Sequence, residues 1–336
     1  MNDSSVLVSI SCLTYNHAPY LRDCFDGFLS QKTGFEFEVL IHDDCSSDGS
    51  VEIIKSYTEK YPHIFKPLFE KENQFSQGIH GGTILWNLPR AKGRYIAICE
   101  GDDYWTDPYK LQKQVDYMDK NPGVGLCYTD YNLYEQVSGV ITKDLFKNGK
   151  HRPVDFRDFL VNEGYIAPMS WLIRRSVLES LDVAMYTDLS YSIALAMLKQ
   201  SKVYYLPETT CVYRSHPGSA SDPLTDEGYF KQYYGVFKTK LFFAEKYQVD
   251  QSTMSLIKSG GYVRLLPYAM RIHQDSFIEE ARSFFSGMDF HMDSLIALCK
   301  YYNISVSDCR NARNSKSYRL GRALLHPFNL LKALVK

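Results

Sequence analysis

Three carboxylates stand directly after a short apolar stretch, at Glu100, Asp102 and Asp103. Residues 95–99 (Tyr-Ile-Ala-Ile-Cys) have the length and the β-branched and aromatic content of a buried strand. Carboxylates this close repel one another, and divalent cations such as Mg²⁺ and Mn²⁺, which prefer oxygen ligands, relieve that repulsion. The pattern therefore predicts a cation site at a strand end. A solvated acidic turn is the alternative for this motif taken alone.

The elements that must position these acids are strand-loop-helix units. Apolar runs at Val6–Leu13 and Phe37–His42 are predicted strands, and each precedes a helical pattern. After the acidic motif, Asp107 and Pro108 have the residue types of an N-cap and a first helical position. Successive units of this kind predict a parallel sheet, whose strands end at one ligand-binding edge.

A second acidic pair, Asp43 and Asp44, ends the second predicted strand. We therefore expect it to face the same crevice as Asp102 and Asp103. One carboxylate there can accept the N–H of a uracil ring while another holds a cation on a diphosphate. The alternative for this pair is a local Asx turn with a helix cap.

No glycine-rich phosphate loop of the Gly-x-Gly-x-x-Gly or P-loop type occurs in the chain. Phosphate charge must then be neutralised by the cation and by nearby basic groups. Lys92 and Arg94 are the candidates for that role, with solvated surface charge as the alternative for each.

Four segments together resemble one enzyme family. Residues 13–16 (Leu-Thr-Tyr-Asn), 43–49 (Asp-Asp-Cys-Ser-Ser-Asp-Gly), 91–96 (Ala-Lys-Gly-Arg-Tyr-Ile) and 101–105 (Gly-Asp-Asp-Tyr-Trp) follow the order and spacing of family 2 inverting glycosyltransferases. The resemblance covers about residues 6–221 and is closest to the type that assembles bacterial polysaccharides such as capsule and O-antigen. It implies the GT-A fold, a Rossmann-like, mixed, mainly parallel sheet flanked by helices.

The resemblance also implies roles for individual residues. Asp44 would contact uracil, and Asp188, an acid before an apolar helix, would be the catalytic base. The implied nucleotide-binding residues are Thr14, Tyr15, Asp44 and Asp102, and the implied ligands of Mn²⁺ or Mg²⁺ are Asp102, Asp103 and His216. Glu100 stands where the family pattern commonly has Asp, and the sequence leaves open which of Asp102 and Asp103 ligates the cation. An N-cap is the alternative role for Asp188.

Two tryptophans, Trp105 and Trp171, are candidate platforms for a sugar face on the acceptor side. A place in the core is the alternative for Trp171. Residues 131–154 are polar and irregular, which predicts a loop or hairpin over that side.

Composition narrows the class of protein further. A formal net charge of −1 argues against bulk nucleic-acid binding. The eight cysteines include no Cys-x-x-Cys pair, which favours reduced thiols in a cytoplasmic protein. The first residues lack the basic start of a signal peptide, and no apolar run has the length of a membrane span.

Domain organisation is predicted as a nucleotide-sugar-binding domain at 1–224 and a helical region at 225–336. Seven Lys and Arg residues and no acid occur between 310 and 336. Residues 319–336 form a basic amphipathic pattern, which can lie peripherally on the inner face of an anionic membrane or dock on the protein body.

Together these features predict a metal-dependent hexosyl- or N-acetylhexosaminyltransferase. It would move a sugar from a nucleotide diphosphate donor, with UDP favoured, to a hydroxyl of a glycan or lipid-linked saccharide. One alternative is a binding module for nucleotide sugars or glycans that has lost catalysis. Another is a sugar-phosphate nucleotidyltransferase, which should carry a glycine- and basic-rich loop after the first strand, and residues 13–20 contain none.

Overall fold

The computed structural model describes residues 6–162, 164–181, 189–217, 219 and 223–286. The chain divides into two compact units, 1–216 and 217–336. Asp188 and the predicted tail at 319–336 lie outside the described residues.

A single mixed sheet of nine strands is the centre of the first unit, as far as that unit is described. Its strands are β1 (Val8–Thr14), β2 (Phe37–Asp43), β3 (Phe65–Phe69), β4 (Tyr95–Ile98), β5 (Tyr104–Trp105), β6 (Val124–Glu135), β7 (Val140–Thr142), β8 (Leu172–Arg174) and β9 (Lys202–Ser215). The order across the sheet is β3-β2-β1-β4-β8-β6-β9-β5, with β7 added to β6. Strands β3, β2, β1 and β4 are parallel neighbours, β6 and β9 are parallel, and β8 is antiparallel to both of its neighbours. The predicted α/β class with a helix-flanked sheet is confirmed.

Two helices of the first unit, the first and the fourth, show the buried apolar stripe most clearly, whereas the seventh is buried at every position from Tyr191 to Met197. On the first helix Leu21, Phe25 and Phe28 are fully buried, and on the fourth Leu111 and Met118 are. This is the spacing that the apolar pattern predicts. The helices are α1 (Leu21–Leu29), α2 (Ser50–Lys60), α3 (Gly82–Trp86), α4 (Lys110–Lys120), α5 (Phe156–Val161), α6 (Arg175–Glu179) and α7 (Leu189–Gln200), with 3₁₀ turns at Phe75–Gln77, Leu88–Arg90 and Pro168–Ser170.

The carboxyl end of β1 joins the two acidic motifs. Leu13 accepts a backbone hydrogen bond from the N–H of Gly101 (2.9 Å), and the next carbonyl, of Thr14, accepts one from Asp44 (3.0 Å). Because β1 lies between β2 and β4, the loops that follow those strands emerge on either side of it. The two loops that form the predicted crevice are therefore hydrogen-bonded to two consecutive carbonyl groups of β1.

The region predicted as a loop or hairpin at 131–154 is partly strand. β6 continues to Glu135 and then turns back into β7. The second half of β6 pairs with β9 up to Ser215, so tertiary pairing makes a strand of residues whose local pattern is polar and irregular.

The second unit is helical where it is described. Its helices are α8 (Asp226–Lys246), α9 (Gln251–Arg271) and α10 (Asp275–Ser286). Side chains of Thr225 and Asp250 cap α8 and α9, each by accepting an N–H three residues later. None of the helices among the described residues has both the length and the apolar content to cross a bilayer.

A fully buried lysine lies near the start of α4. The ammonium of Lys110 donates to Oε1 of Gln114 (2.8 Å) and lies 4.4 Å from the centre of the Trp105 ring. Burial lowers the pKa of Lys110 to about 8, because the surrounding core disfavours the charged form.

We expect this lysine to make the stability of the fold depend on pH. The unfolded chain holds the Lys110 proton up to about pH 10.5 and the folded chain releases it near pH 8, so stability rises with pH between those values. Relative to Lys110→Met, the wild type should gain about 2 kcal/mol between pH 7 and pH 10. Urea unfolding of both proteins at the two pH values measures this, and a difference that is independent of pH would contradict it.

Candidate active site

Asp102 is the centre of a cluster of possible cation ligands. Its Oδ2 lies 3.1 Å from Nε2 of His216 and 3.9 Å from Nε2 of His17. Glu100 and Asp103 approach it from its own loop. Among the described residues, two sets could hold a metal ion, His17 with Asp102 and His216, and Glu100 with Asp102 and Asp103. The sequence predicts Asp102, Asp103 and His216 for this role; Asp102 belongs to both sets, His216 to the first and Asp103 to the second.

Arg214, on β9, fixes the loop that carries these acids. Its backbone N–H donates to Oδ1 of Asp103 (2.8 Å), and its Nε donates to the backbone carbonyl of Asp102 (2.8 Å). The two remaining guanidinium nitrogens donate to Gln136, beyond β6, and to Asp23 of α1, both at 2.8 Å. One side chain, 4% exposed, thus ties four segments of the chain together.

Aromatic rings enclose the Arg214 guanidinium. The centres of the Tyr20, Tyr104 and Tyr134 rings lie 4.9, 5.0 and 5.4 Å from its central carbon. Tyr20 also packs on His216, with 4.8 Å between ring centres. The cation–π contacts and the hydrogen bonds hold the side chain in one orientation. His216 follows Arg214 by two residues, so its position depends on the same contacts.

The electrostatics of the cluster separate its two aspartates. Burial raises the pKa of Asp103 well above its usual range, and the Asp102 carboxylate adds to the rise. Burial also acts to raise the pKa of Asp102, but the imidazoles of His17 and His216 outweigh it, and the pKa is lowered. Asp102 is therefore the carboxylate best prepared to face a cation.

His17 is held by a loop that is fastened to its neighbour. The N–H of Asn16 donates to Ser46, the N–H of His17 donates to Ser50 (3.0 Å), and the N–H of Ala18 donates to Asp48 (2.9 Å). Burial lowers the pKa of the His17 imidazole, against the attraction of Asp102. The motif around Asp48 thus fixes the loop after β1.

The two aspartates at the end of β2 have different roles. Asp43 accepts hydrogen bonds from the N–H (3.0 Å) and hydroxyl (2.6 Å) of Ser46, which is the local turn considered for this pair. Asp44 is 9% exposed, and its carboxylate accepts the N–H groups of Gln74 (2.7 Å) and Phe75 (3.1 Å). The segment after β3 is therefore fastened to the residue predicted to read uracil.

Two buried polar atoms near the end of β1 have no hydrogen-bond partner, Oγ1 of Thr14 and Nδ1 of His17. Both residues surround Gly101, where an added Cβ would come 2.9 Å from Nδ1 of His17 and 3.2 Å from Cβ of Thr14. Tyr15, the other residue predicted to bind nucleotide at this end, is 47% exposed. Unpaired polar atoms are costly in a core and are typical of a binding site.

Lys92 and Arg94 are not brought to this cluster, which corrects the prediction that they neutralise phosphate. Both precede β4, at the end of the strand opposite the acidic loop. The N–H of Lys92 donates to Glu38 (2.8 Å), and Arg94 pairs with Asp119. Gly93 between them packs so closely on β1 that an added Cβ would come 2.4 Å from the nitrogen of Ser9. The segment Lys92–Arg94 therefore contributes to the packing of β4 against β1.

Trp105 and Trp171 also differ from the prediction that they bind an acceptor sugar. Trp105 is buried, donates its Nε1–H to the carbonyl of Met169 (2.8 Å) and packs against Phe28. Trp171 is fully buried. Both are core residues, because α1 covers Trp105 through Phe28 and Trp171 directly precedes β8, which lies between β4 and β6.

The predicted base, Asp188, lies outside the described residues, but its neighbour Leu189 does not. A Cβ built on Gly82 would lie 3.3 Å from Cδ2 of Leu189 and 3.4 Å from Cδ1 of Leu13. Gly82 has a φ of +42°, in the left-handed region that favours glycine. The first residue of α7 thus lies beside the carboxyl end of β1.

The cluster at Asp102 fits a divalent cation. Asp102 belongs to two sets of ligand atoms, one with two imidazoles and one with two further carboxylates, and within each set the atoms lie within 4.8 Å of one another. Carboxylates suit Mg²⁺ and Mn²⁺, and imidazoles suit transition metals. The unpartnered Oγ1 of Thr14 lies at the same end of β1 and is a further polar atom near the cluster.

Comparison with known sequences decides the family. The sequence profile of Glycosyl transferase family 2 matches residues 9–182, just over half of the chain. The chain belongs to this family. The uncharacterized protein Rv1520 of Mycobacterium tuberculosis is 35% identical over 214 residues, which span 62% of this chain and 59% of the relative. TuaG of Bacillus subtilis, a putative teichuronic acid biosynthesis glycosyltransferase, is 33% identical over 138 residues, 40% of this chain and 51% of the relative.

Solved structures of similar shape support the family 2 assignment at the level of fold. TarS 1–349 of S. aureus, determined with UDP-GlcNAc, has a TM-score of 0.56 and 15% identity, covering 94% of this chain and 92% of that one. The mannosyltransferase PcManGT of Pyrobaculum calidifontis, with GDP-Man and Mn²⁺, has a TM-score of 0.55 and 16% identity, covering 95% and 84%. The family 2 chain therefore has the predicted GT-A fold.

Sequence reasoning missed Arg214, Asp23 and His17 as organisers of this family 2 site. Arg214 carries a signal in retrospect, since an arginine that follows the buried strand residues Cys211 and Val212 requires a partner. The contact with Asp23 has no local signal, because the two residues are 191 positions apart.

Removing the Arg214 side chain should destabilise the first unit. Arg214→Met leaves the carbonyl of Asp102 and the carboxylate of Asp23 without their donor, and we expect a loss of about 3 kcal/mol. Arg175→Met, which breaks a more exposed pair with Glu179, should cost less than about 1 kcal/mol. All three tryptophans, at 86, 105 and 171, belong to the first unit, so their fluorescence during urea unfolding reports on it. Equal losses for the two variants would contradict the central role of Arg214.

Proposed function

We propose that the protein is a cation-dependent inverting glycosyltransferase that moves a sugar from a UDP-sugar to an acceptor hydroxyl. One observation carries the proposal. The acid suited to read a base, Asp44, and the cation cluster at Asp102 are attached to consecutive carbonyl groups at the carboxyl end of β1. A nucleoside diphosphate presents a base at one end and a cation-binding diphosphate at the other, which matches this arrangement.

Asp44 supports the assignment of a pyrimidine with a ring N–H. A carboxylate has about four lone-pair positions, and the N–H groups of Gln74 and Phe75 use two of them. The others can accept the N–H of uracil. Guanine also presents a ring N–H, so the rates with UDP-sugars and with GDP-sugars must be compared in the same assay.

Asp102 and His216 would hold the cation, and Asp103 is the neighbouring carboxylate on the same loop as Asp102. When bound, Mn²⁺ or Mg²⁺ supplies positive charge that stabilises the diphosphate leaving group. Arg214 keeps the carbonyl of Asp102 and the carboxylate of Asp103 in place, so the cluster is organised before the donor arrives.

Asp188 is proposed as the base that removes the proton of the attacking acceptor hydroxyl. Its neighbour Leu189 lies beside Leu13 and Gly82, at the same end of β1 as the cation cluster. In this mechanism the hydroxyl oxygen attacks the anomeric carbon from the face opposite the diphosphate, which leaves with its bonding electrons. A single displacement inverts the anomeric centre.

The acceptor class is proposed as a glycan or a lipid-linked saccharide. The similarity to TuaG, a putative teichuronic acid biosynthesis glycosyltransferase, supports a polysaccharide acceptor. Trp105 and Trp171 are buried, so acceptor recognition would use other side chains.

We expect nucleotide diphosphate release from a UDP-sugar when Mn²⁺ is present and no release when it is chelated. The assay uses a panel of UDP- and GDP-sugars with a mixed glycan acceptor preparation. Asp102→Asn should lower the rate at least about 100-fold, because a ligand of the cation is lost. The exposed Asp116→Asn on α4 is the matched control and should retain the wild-type rate. Turnover that is indifferent to both the chelator and Asp102→Asn would refute the cation's role.

Asp188→Asn should separate binding from transfer. We expect Mn²⁺-dependent UDP-sugar binding, measured by calorimetry, to be retained while transfer falls about 10²–10⁴-fold. Asp116→Asn again serves as the control. Binding without transfer in the wild type would favour the inactive binding module, and formation of a UDP-sugar from UTP and a sugar phosphate would favour the nucleotidyltransferase.

A further inference from the structure

The loop after β1 directs a second imidazole at the acidic cluster. Nε2 of His17 lies 3.9 Å from Oδ2 of Asp102, and Nε2 of His216 lies 3.1 Å from the same oxygen. The two imidazole rings are nearly perpendicular, at 85°, with 6.2 Å between their centres. Two rings thus approach one carboxylate oxygen from different directions.

These separations fit atoms that share one cation. Ligand atoms at about 2.1 Å from a common ion lie between about 3.0 Å apart, when adjacent, and about 4.2 Å apart, when opposite. The distances of 3.1 Å and 3.9 Å fall inside that range. The ligand atoms of His17, Asp102 and His216 all lie within 4.8 Å of one another, so a small adjustment brings the three within reach of one ion.

The His17 side chain is held in place by backbone contacts that leave its ring available. Its N–H donates to Ser50, and the flanking N–H groups of Asn16 and Ala18 are fixed by Ser46 and Asp48. The ring is largely buried, yet Nδ1 has no hydrogen-bond partner. Its Nε2, the atom that faces Oδ2 of Asp102 at 3.9 Å, is the one available to a cation.

The chemistry of the donor set selects among cations. Mg²⁺ takes oxygen ligands in near-ideal octahedral geometry and keeps several waters. Imidazole nitrogens suit transition metals, and carboxylates suit both groups. A face made of two imidazoles and one carboxylate thus discriminates against Mg²⁺.

We propose that His17 is a further ligand of the catalytic cation and that, with His216 and Asp102, it makes the site selective for Mn²⁺ over Mg²⁺. This inference rests on the proposed function and deepens it. The remaining coordination positions are left to the donor diphosphate and water.

The test counts imidazoles on the bound ion. Pulsed EPR of full-length protein with Mn²⁺ and UDP detects couplings to coordinated histidine nitrogens. The wild type should show two imidazoles, and His17→Asn and His216→Asn should show one each. His63→Asn, which alters an exposed histidine between α2 and β3, should keep two and serves as the matched control. Thermal unfolding of each variant verifies that it is folded.

Affinity provides a second readout. In titrations followed by the EPR signal of free Mn²⁺, His17→Asn should weaken Mn²⁺ binding at least about tenfold. Competition with Mg²⁺ should show a much smaller change for that ion, so the preference for Mn²⁺ falls. If the wild type shows one imidazole, or if both ions weaken equally, His17 is not a selective ligand.

The two proposals fail in distinguishable ways. A wild type that binds no Mn²⁺ in the presence of UDP, and releases no nucleotide from UDP-sugars, would remove the proposed function itself. A wild type that binds Mn²⁺ and transfers sugar, with His17→Asn matching it in imidazole count and in cation preference, would remove only the role of His17.

Discussion

The site depends on one arginine placed among acids. Glu100, Asp102 and Asp103 follow one another on a short loop, and such a loop would open through repulsion if nothing opposed it. Arg214 opposes it with a backbone donor on Asp103 and a guanidinium donor on the carbonyl of Asp102. The arginine thus stabilises the loop by binding its backbone as well as its charge.

The contacts of Arg214 join distant segments of the first unit to the site. Arg214 lies on β9, and its guanidinium reaches α1 through Asp23 and the turn after β6 through Gln136. The loop after β4 is therefore held by elements that come before and long after it in the chain. Since the N–H of Gly101 also bonds to β1, the acids are fixed from both sides. Such preorganisation lowers the cost of binding a charged donor.

Structural features that depend on neighbouring residues could be predicted from the sequence, whereas contacts between residues far apart in the chain could not. Strands β1, β2 and β4 are short, mainly apolar stretches, and acidic residues follow β2 and β4 closely in sequence, so the crevice and the fold class could be predicted. The neighbourhood of His216 and Asp102 was available only through family resemblance, because the residues are 114 positions apart. Lys92 and Arg94 were misplaced because proximity in sequence to the acids suggested proximity in space, whereas β4 separates them. The two buried tryptophans show a similar limit, because the sequence pattern does not indicate whether a tryptophan packs in the core or faces solvent.

The segment between β3 and β4 touches both halves of the crevice. At its beginning the backbone of Gln74 and Phe75 binds the carboxylate of Asp44, and further on Gly82 packs against Leu189 and Leu13. A base read by the free lone pairs of Asp44 would therefore bind beside a segment whose other end lies next to the first residue of α7. One short stretch of chain thus spans the distance from the predicted base contact to the start of α7, so a shift at one end would be passed to the other.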